Sequence, residues 1–325
     1  MQAIVFDRPG GPEVLRLAEL PDPVPRPGEL LVRVHAAGLN RADLLQRMGR
    51  YAPPTGAPEI LGLELAGEVV GLGPECAKRQ VGDRVMALVT GGAYATLATV
   101  PEVTAMPVPE SLDWVAAAAV PEAFLTAYLD LFDLGNLQAG ETVLVHAGAS
   151  GVGSAVIQVA REAGARVLAT AGSDEKLALC RSLGAAIAIH RERDNFAGIA
   201  LEATGGAGVD LVIDLVGAAY WGGNMRALRR GGRLVLVGFL GGSMGELDLG
   251  PVLRKSLNVR GTTLRGTPLA DKARLVERCA AFILPRLADG RLRTIVDRKF
   301  PLAEAGAAHA YMAQNRNLGK IILET

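Results

Sequence analysis

Cysteine is scarce. Cys76, Cys180 and Cys279 are the only three in 325 residues, far apart and odd in number. They exclude a disulfide framework and a C-x-x-C metal knuckle, and they fit a reduced compartment. Net charge is absent too: 34 Lys and Arg balance 34 Asp and Glu, with no long basic run. No nucleic-acid partner and no membrane partner is therefore expected. The local group Arg226, Arg229, Arg230 and Arg233 reads as a solvated helix end. Half of the residues are hydrophobic, yet no uninterrupted apolar run exists on the scale of a membrane helix, which takes about 20 residues. The apolar residues must then form core, and the length is sufficient for two domains. MQAIVFDRPG at the start lacks the basic and apolar regions of a signal peptide, so a cytoplasmic location is expected. Aromatic residues make up only 4% of the chain.

What is there falls into two rhythms. The first ~110 residues alternate short strands with proline or glycine turns. Ala3–Phe6, Glu29–Ala36, Glu64–Gly71 and Arg84–Leu88 read as strands, with a stiff connector at Pro21–Gly28 and a polar, loop-like stretch over Asn40–Pro58. From about Trp114 helices and strands alternate. Ala116–Leu131 reads as one long helix. Six strands follow, at Thr142–His146, Arg166–Thr170, Ala186–His190, Val209–Val216, Arg233–Gly238 and Asn258–Thr263, with a helix over Tyr220–Arg230 before the fifth. This is the pattern of a doubly wound parallel sheet, which binds ligands at the carboxyl ends of its strands. Helices at Leu269–Leu287 and Leu302–Ala313 and strands at Thr294–Phe300 and Lys320–Glu324 close the chain. This tail is expected to return to the β-rich part, making the parallel sheet an insertion and setting the active site in the cleft between the two lobes.

The segment TVLVHAGASGVG, Thr142–Gly153, carries the most chemistry. An apolar strand runs into a glycine turn, and Ser154–Arg161 then reads as a helix with Val156, Val159 and Ala160 on one face. Backbone N–H groups and the helix dipole at such a junction favour a phosphate. Gly148 and Gly153 hold the outer positions of a G-x-G-x-x-G fingerprint, with Ser150 at the middle one and Gly151 and Val152 between. The second strand of such a fold ends in an acid when it binds the 2′-hydroxyl of NAD. Here it ends Thr170-Ala171-Gly172-Ser173, without one, so NADPH is the expected cofactor. Ser173 also suits the cap of the next helix.

Longer segments carry a family resemblance: AAGLNRADLLQRMGRY (36–51), LGLELAGEVVGLG (61–73), VGDRVMAL (81–88), VPEAFLTAY (120–128), HAGASGVG (146–153), TAGSDEKL (170–177) and LGKIILE (318–324). The chain resembles the zinc-free, zeta-crystallin-like quinone oxidoreductases of the medium-chain dehydrogenase/reductase superfamily, and several segments are most similar to the tumour-suppressor-inducible type. The resemblance implies an α/β fold in which a Rossmann domain, 116–264, is inserted in a GroES-like catalytic domain, 1–115 and 265–325. It implies no metal. Zinc-bearing relatives have a Cys where this chain has Leu39 or Asn40, a His where it has Leu63, and a Cys near Glu122–Ala123, and the four close cysteines of the structural zinc lobe are absent.

The same resemblance implies that Gly172, Ser173 and Lys176 accept the 2′-phosphate. His190 stands where relatives often have a tyrosine, with Arg191 beside it. Gly238, Phe239, Leu240 and Gly241 after the fifth strand, Leu264 and Arg265 after the sixth, and Thr126 are expected near the nicotinamide end. Asn40, Tyr51 and Ser150 are the expected catalytic residues on the substrate wall; Asp43 and Gln46 share a helical face with Asn40 and brace the loop. The implied activity is transfer of reducing equivalents from NADPH to a quinone. The alternatives are reduction of the C=C bond of an enone or enoyl thioester, and an NADPH-binding, crystallin-like protein with little turnover. A homodimer pairing through the strand at Asn258–Thr263 is expected.

Overall fold

Alternating apolar and polar residues build the first strands. The structure, a computed structural model, describes residues 1–325. β1 (Gln2–Val5) and β2 (Arg16–Glu19) form an antiparallel ribbon, followed by β3 (Glu29–Gly38), α1 (Arg41–Arg47), β4 (Glu64–Leu72), β5 (Arg84–Leu88), β6 (Leu97–Pro101), β7 (Ala105–Pro107), α2 (Trp114–Ala118) and α3 (Pro121–Tyr128). Next come β8 (Thr142–Val145), α4 (Gly151–Glu162), β9 (Arg166–Ala171), α5 (Asp174–Leu183), β10 (Ile187–His190), α6 (Phe196–Ala203), β11 (Val209–Asp214), α7 (Trp221–Ala227), β12 (Leu228–Leu236), α8 (Gly250–Arg254) and β13 (Asn258–Gly261). The tail is α9 (Leu269–Ala288), β14 (Val296–Pro301), α10 (Ala305–Ala313) and β15 (Lys320–Glu324).

Two units result, Met1–Leu125 with Leu264–Thr325, and Thr126–Thr263. In the first, a seven-stranded sheet has the order β14-β15-β3-β4-β5-β7, with β6 also paired to β3. β15 pairs antiparallel with β3, Ile322 opposite Gly38, so the last strand completes a sheet begun by β3. Its core includes Leu30, Val32, Leu61, Leu65, Val85, Ile321 and Leu323, each burial worth about 1.5–3 kcal/mol. The second unit is a six-stranded parallel sheet of order β10-β9-β8-β11-β12-β13, the doubly wound arrangement. Leu144, Leu168, Ile189, Val212 and Leu234 pack one of its cores with Trp221 and Met225.

Several elements differ from the sequence reading. The single helix expected over 116–131 is broken: α2 stops at Ala118, α3 starts at Pro121, and a π-helical stretch follows over Leu129–Leu134. Pro121 has no N–H to continue α2 and disfavours helical backbone before it. The boundary between units also falls later than 115, after Leu125, because α2 packs on β3, β4, β5 and β15. The helix expected to reach Arg230 ends at Ala227, and β12 begins at once. Of the arginines read as a helix end, Arg226 lies in the last turn of α7, whereas two are ion-paired at the sheet: Arg229 meets Asp210 at 2.6 Å, and Arg233 meets Glu141 at 2.6 Å. The stretch 40–58 is not all loop, since it contains α1.

A polar chain crosses the core of the first unit. Arg47 donates from Nη1 to His309 Nδ1 (3.3 Å), His309 Nε2 faces the Tyr94 hydroxyl (3.3 Å), and that hydroxyl donates to Asp43 Oδ2 (3.1 Å). Arginine only donates, so Nδ1 accepts and the imidazole proton sits on Nε2. Burial, with Arg47 adding, pushes His309 down to about 3, while burial lifts Asp43 to about 6. Unfolded histidine titrates near its ordinary 6.5, so between about 6.5 and 3 the unfolded chain binds a proton that the folded chain refuses, and stability falls as pH drops. Asp43 acts in the opposite sense, its contribution present at low pH and lost as pH rises through about 6. His309→Gln is expected to remove about 2 kcal/mol of the stability difference between about pH 6.5 and pH 5. Urea unfolding at the two values checks this; an unchanged difference would mean that the native imidazole titrates normally.

Candidate functional site

Two sets of polar residues stand out, one in each unit. In the first unit, Glu64 opens β4 and Lys320 opens β15; both are buried, and their side chains form an ion pair at 2.5 Å. Lys320 Nζ also donates to Leu39 O and Asn40 Oδ1, both at 2.7 Å. Glu64 Oε1 accepts from Asn40 Nδ2 (2.9 Å), and Oε2 from the backbone N–H of Glu122 (2.8 Å) at the start of α3. The three ammonium protons and both carboxylate oxygens are thus used. A glycine is required at 38, because a Cβ there would collide with the Glu64 carboxylate and approach Ala118 O to 2.8 Å. Asn40 caps α1. Its amide is held between a pure donor and a pure acceptor, which fixes its orientation. Asp43 braces the turn as expected, accepting from the N–H groups of Asn40 (2.7 Å) and Gly62 (3.2 Å); Gln46 reaches Glu59 O at 3.5 Å.

Beside this pair lies a second group. Arg265 donates from Nε (2.9 Å) and Nη2 (2.6 Å) to Thr90 O, and its guanidinium carbon stands 5.4 Å from the centroid of the Tyr51 ring. Lys272 Nζ donates to Arg265 O at 2.6 Å. Burial, then the neighbouring Glu64 carboxylate, pushes the Glu122 carboxyl up to about 8. Burial also raises the Tyr51 phenol, against the lowering effect of Arg265. Leu264 is buried.

In the second unit the parallel strands present their carboxyl ends at one edge. Gly148 and Ser150–Gly153 follow β8, Gly172–Lys176 follow β9, His190 ends β10, and Gly238–Gly241 follow β12. α4 begins earlier than the sequence suggests, at Gly151. Ser150 is its cap, Oγ accepting from Gly153 N–H at 3.0 Å. The N–H groups of Gly151 and Val152 have no partner within the helix and face outward as anion donors. Gly153 must be glycine, since a Cβ there would strike Ala147 O. Ser173 caps α5, accepting from Lys176 N–H at 3.3 Å. Arg191 lies on Gly172, its Nε 2.9 Å from where a Cβ would stand. His190 Nδ1 accepts from the N–H groups of Glu192 (3.3 Å) and Arg193 (3.2 Å), so its proton is on Nε2. Thr126 is buried in α3.

Comparison with known proteins now bears on this arrangement. Residues 26–110 match the alcohol dehydrogenase GroES-like domain, and residues 151–281 match the zinc-binding dehydrogenase family. The quinone oxidoreductase of Pseudomonas aeruginosa is 36% identical over 323 residues, 98% of either chain. The chain belongs to the medium-chain dehydrogenases/reductases. It is an oxidoreductase of the quinone oxidoreductase type. The crystal structure of Escherichia coli quinone oxidoreductase complexed with NADPH superposes with a TM-score of 0.91 at 29% identity, covering 100% of both chains. The CurK enoyl reductase superposes with a TM-score of 0.88 at 28% identity, covering 99% of this chain and 98% of that one.

The zinc in one family description does not fit the residues of this oxidoreductase. Both oxygens of Glu64 are taken by protein donors, and an ammonium 2.5 Å away opposes a second cation. Leu63 contributes no ligand atom, and no three His, Cys, Asp or Glu residues are grouped to hold a metal.

The sequence reading missed a buried network behind the glycine turn. Asn224 Nδ2 donates to Asp214 Oδ2 (2.9 Å), which turns its Oδ1 to His146 Nε2 (2.7 Å); His146 Nδ1 then accepts from Thr170 Oγ1 (3.0 Å). Burial pushes His146 down to about 4 and Asp214 up to about 6. Asp214 Oδ1 accepts from Val216 N–H (2.7 Å) and Gly217 N–H (3.0 Å), so the network ties β8, β9 and the loop after β11 together. The available signal was a polar residue ending each apolar strand. The Glu64–Lys320 pair was missed as well, although a lysine opening the apolar run IILE was visible.

Lys320→Met should strand the Glu64 carboxylate and cost about 3–5 kcal/mol. Adding Glu64→Gln to that variant should restore part of the loss. Urea unfolding of the single and double variants measures both; additive effects would show that the two groups are not coupled.

Proposed function

We propose that this oxidoreductase is a metal-independent NADPH:quinone reductase. The observation that carries the reading is the end of β9, where Gly172 and Ser173 stand in place of the acid that an NAD enzyme needs. Lys176 and Arg191 supply positive charge beside them, and Nε2–H of His190 supplies a donor. Ser150, Gly151, Val152 and Gly153 hold the pyrophosphate at the start of α4, with Gly148 keeping the turn close to β9. Thr126 and Gly238–Gly241 serve the nicotinamide end. When bound, the nicotinamide supplies the hydride. The NADPH complex of the Escherichia coli relative and the quinone oxidoreductase of Pseudomonas aeruginosa support this reading.

On the acceptor side, Tyr51 offers a planar ring and a phenol proton. Asn40 acts by positioning, since its amide is spent on Lys320 and Glu64. Quinones suit a site without a Lewis acid, because the reduced product is aromatic and its oxyanions are stable. The likeness to the CurK enoyl reductase favours a second reading, reduction of a conjugated C=C bond. A homodimer is part of the proposal: β13 is the open edge of the parallel sheet and is largely exposed.

The test follows the absorbance of NADPH and NADH with ortho- and para-quinones and enones. Rapid NADPH oxidation by quinones is expected. Enones alone as acceptors would favour the second reading, and tight NADPH binding without turnover would make the protein a non-catalytic binder. Lys176→Glu should weaken NADPH by about tenfold or more while sparing NADH. Equal losses would remove Lys176 from the 2′-phosphate site.

A further inference from the structure

Arg265 is 4% exposed and held on three sides: Nε and Nη2 on Thr90 O, its own carbonyl by Lys272, and one face of the guanidinium by Tyr51. Its remaining nitrogen, Nη1, is buried without any hydrogen-bond partner. An unmatched charged donor is costly in a folded protein and calls for an acceptor atom that the chain itself does not provide. The Tyr51 ring lies against the same guanidinium, 5.4 Å from its carbon to the ring centroid, its hydroxyl makes no hydrogen bond within the protein, and burial raises the phenol, which keeps its proton.

We propose that Arg265 and Tyr51 form a two-donor subsite for the carbonyl oxygen of the acceptor, stabilising the negative charge that develops on that oxygen during reduction. This rests on the proposed quinone reduction and names the chemistry of the acceptor side. Thr90 O takes two of the five N–H donors of Arg265, one from Nε and one from Nη2, and Nη1 is the nitrogen left without a partner. A guanidinium nitrogen and a phenol can both donate to a single oxygen with two lone pairs, the demand of an oxyanion hole. The fixed guanidinium requires no reorganisation as charge appears. NADPH gives up one hydride and leaves as NADP⁺; the hydride bonds to one quinone oxygen, the π electrons shift through the ring onto the other oxygen, held at Arg265 and Tyr51, and that phenolate takes one proton from water, which leaves as hydroxide.

The experiment uses the full-length chain as wild type, Arg265→Met, Arg265→Lys and Tyr51→Phe. NADPH affinity is read by fluorescence, quinone reduction by kcat/KM, and oxyanion binding by titrating para-nitrophenol on the protein–NADP⁺ complex. The wild type should stabilise the coloured phenolate and lower its apparent pKa. Arg265→Met should abolish that shift and lower kcat/KM by about 100-fold, more than any change in NADPH affinity accounts for. Tyr51→Phe should lower kcat/KM by about tenfold. If Arg265→Met fails to fold, Arg265→Lys and Tyr51→Phe decide, since each must diminish the phenolate shift. A phenolate shift that is identical in all variants, or a loss of NADPH affinity that accounts for the whole fall in turnover, overturns the subsite. Quinone turnover that survives in every variant sinks the subsite and leaves the quinone reading intact. An Arg265-dependent phenolate shift without quinone turnover in the wild type does the reverse.

Discussion

The buried Lys320–Glu64 pair is the contact on which the first unit depends. Residue 64 opens the fourth strand and residue 320 the last, so the pair joins distant parts of the chain across the sheet. Taking two charges out of water costs several kcal/mol per ion, which attraction alone does not reliably return. It is tolerated here because every proton and lone pair with a strong demand is answered: by Leu39 O and Asn40 Oδ1 on the lysine, and by Asn40 Nδ2 and the Glu122 N–H on the glutamate. Such a pair adds little net stability compared with apolar packing. What it adds is selection, since any other register of β15 on β3 would bury one charge alone.

Consequences spread from that pair along shared residues. Asn40 is clamped by it and caps α1; Asp43 in α1 holds the backbone of Asn40 and of Gly62; Tyr94, His309 and Arg47 continue from Asp43. The Glu122 carboxyl is lifted by burial and by the same Glu64 charge. The acceptor-side residues therefore sit on a scaffold whose polar atoms point in assigned directions. In the second unit the His146–Asn224–Asp214 network plays the corresponding part, fixing the glycine turn from behind while Gly151 and Val152 present their N–H groups.

Sequence reading reached the architecture because period and punctuation are local. The six parallel strands, the glycine turn and the return of the tail all follow from apolar runs bounded by turn residues. It failed where a tertiary contact overrides local pattern. Residues 116–131 are a separate case, since Pro121 is a local breaker that the apolar run around it masked. Arg229 and Arg230 extend a helical pattern, yet Asp210 and Glu141 draw Arg229 into the sheet. Residue types at the site were legible; partnerships were not. Asn40, Tyr51 and Arg265 could each be singled out, but nothing local says that the amide of Asn40 is consumed by Lys320, 280 residues away, or that Tyr51 lies against Arg265.

That difference in partnership bears on the choice between quinone and enone. Both acceptors place charge on oxygen as the hydride arrives. A quinone then needs only protons on oxygen, which water supplies readily, and the product gains aromaticity. An enone must also be protonated on carbon, a slow step that benefits from a placed acid. The donors with free valences are a guanidinium nitrogen and a phenol, both matched to oxygen. Glu122 retains its proton near neutrality, but its surroundings are the charges of Glu64, Lys320, Asp43 and Lys272. Burial, then the charge of Glu64, holds this acid in its neutral form, and giving up the proton would place a second carboxylate beside Glu64. The donors therefore answer the charge on oxygen that both acceptors develop, and proton delivery to carbon is the step at which the two reactions part.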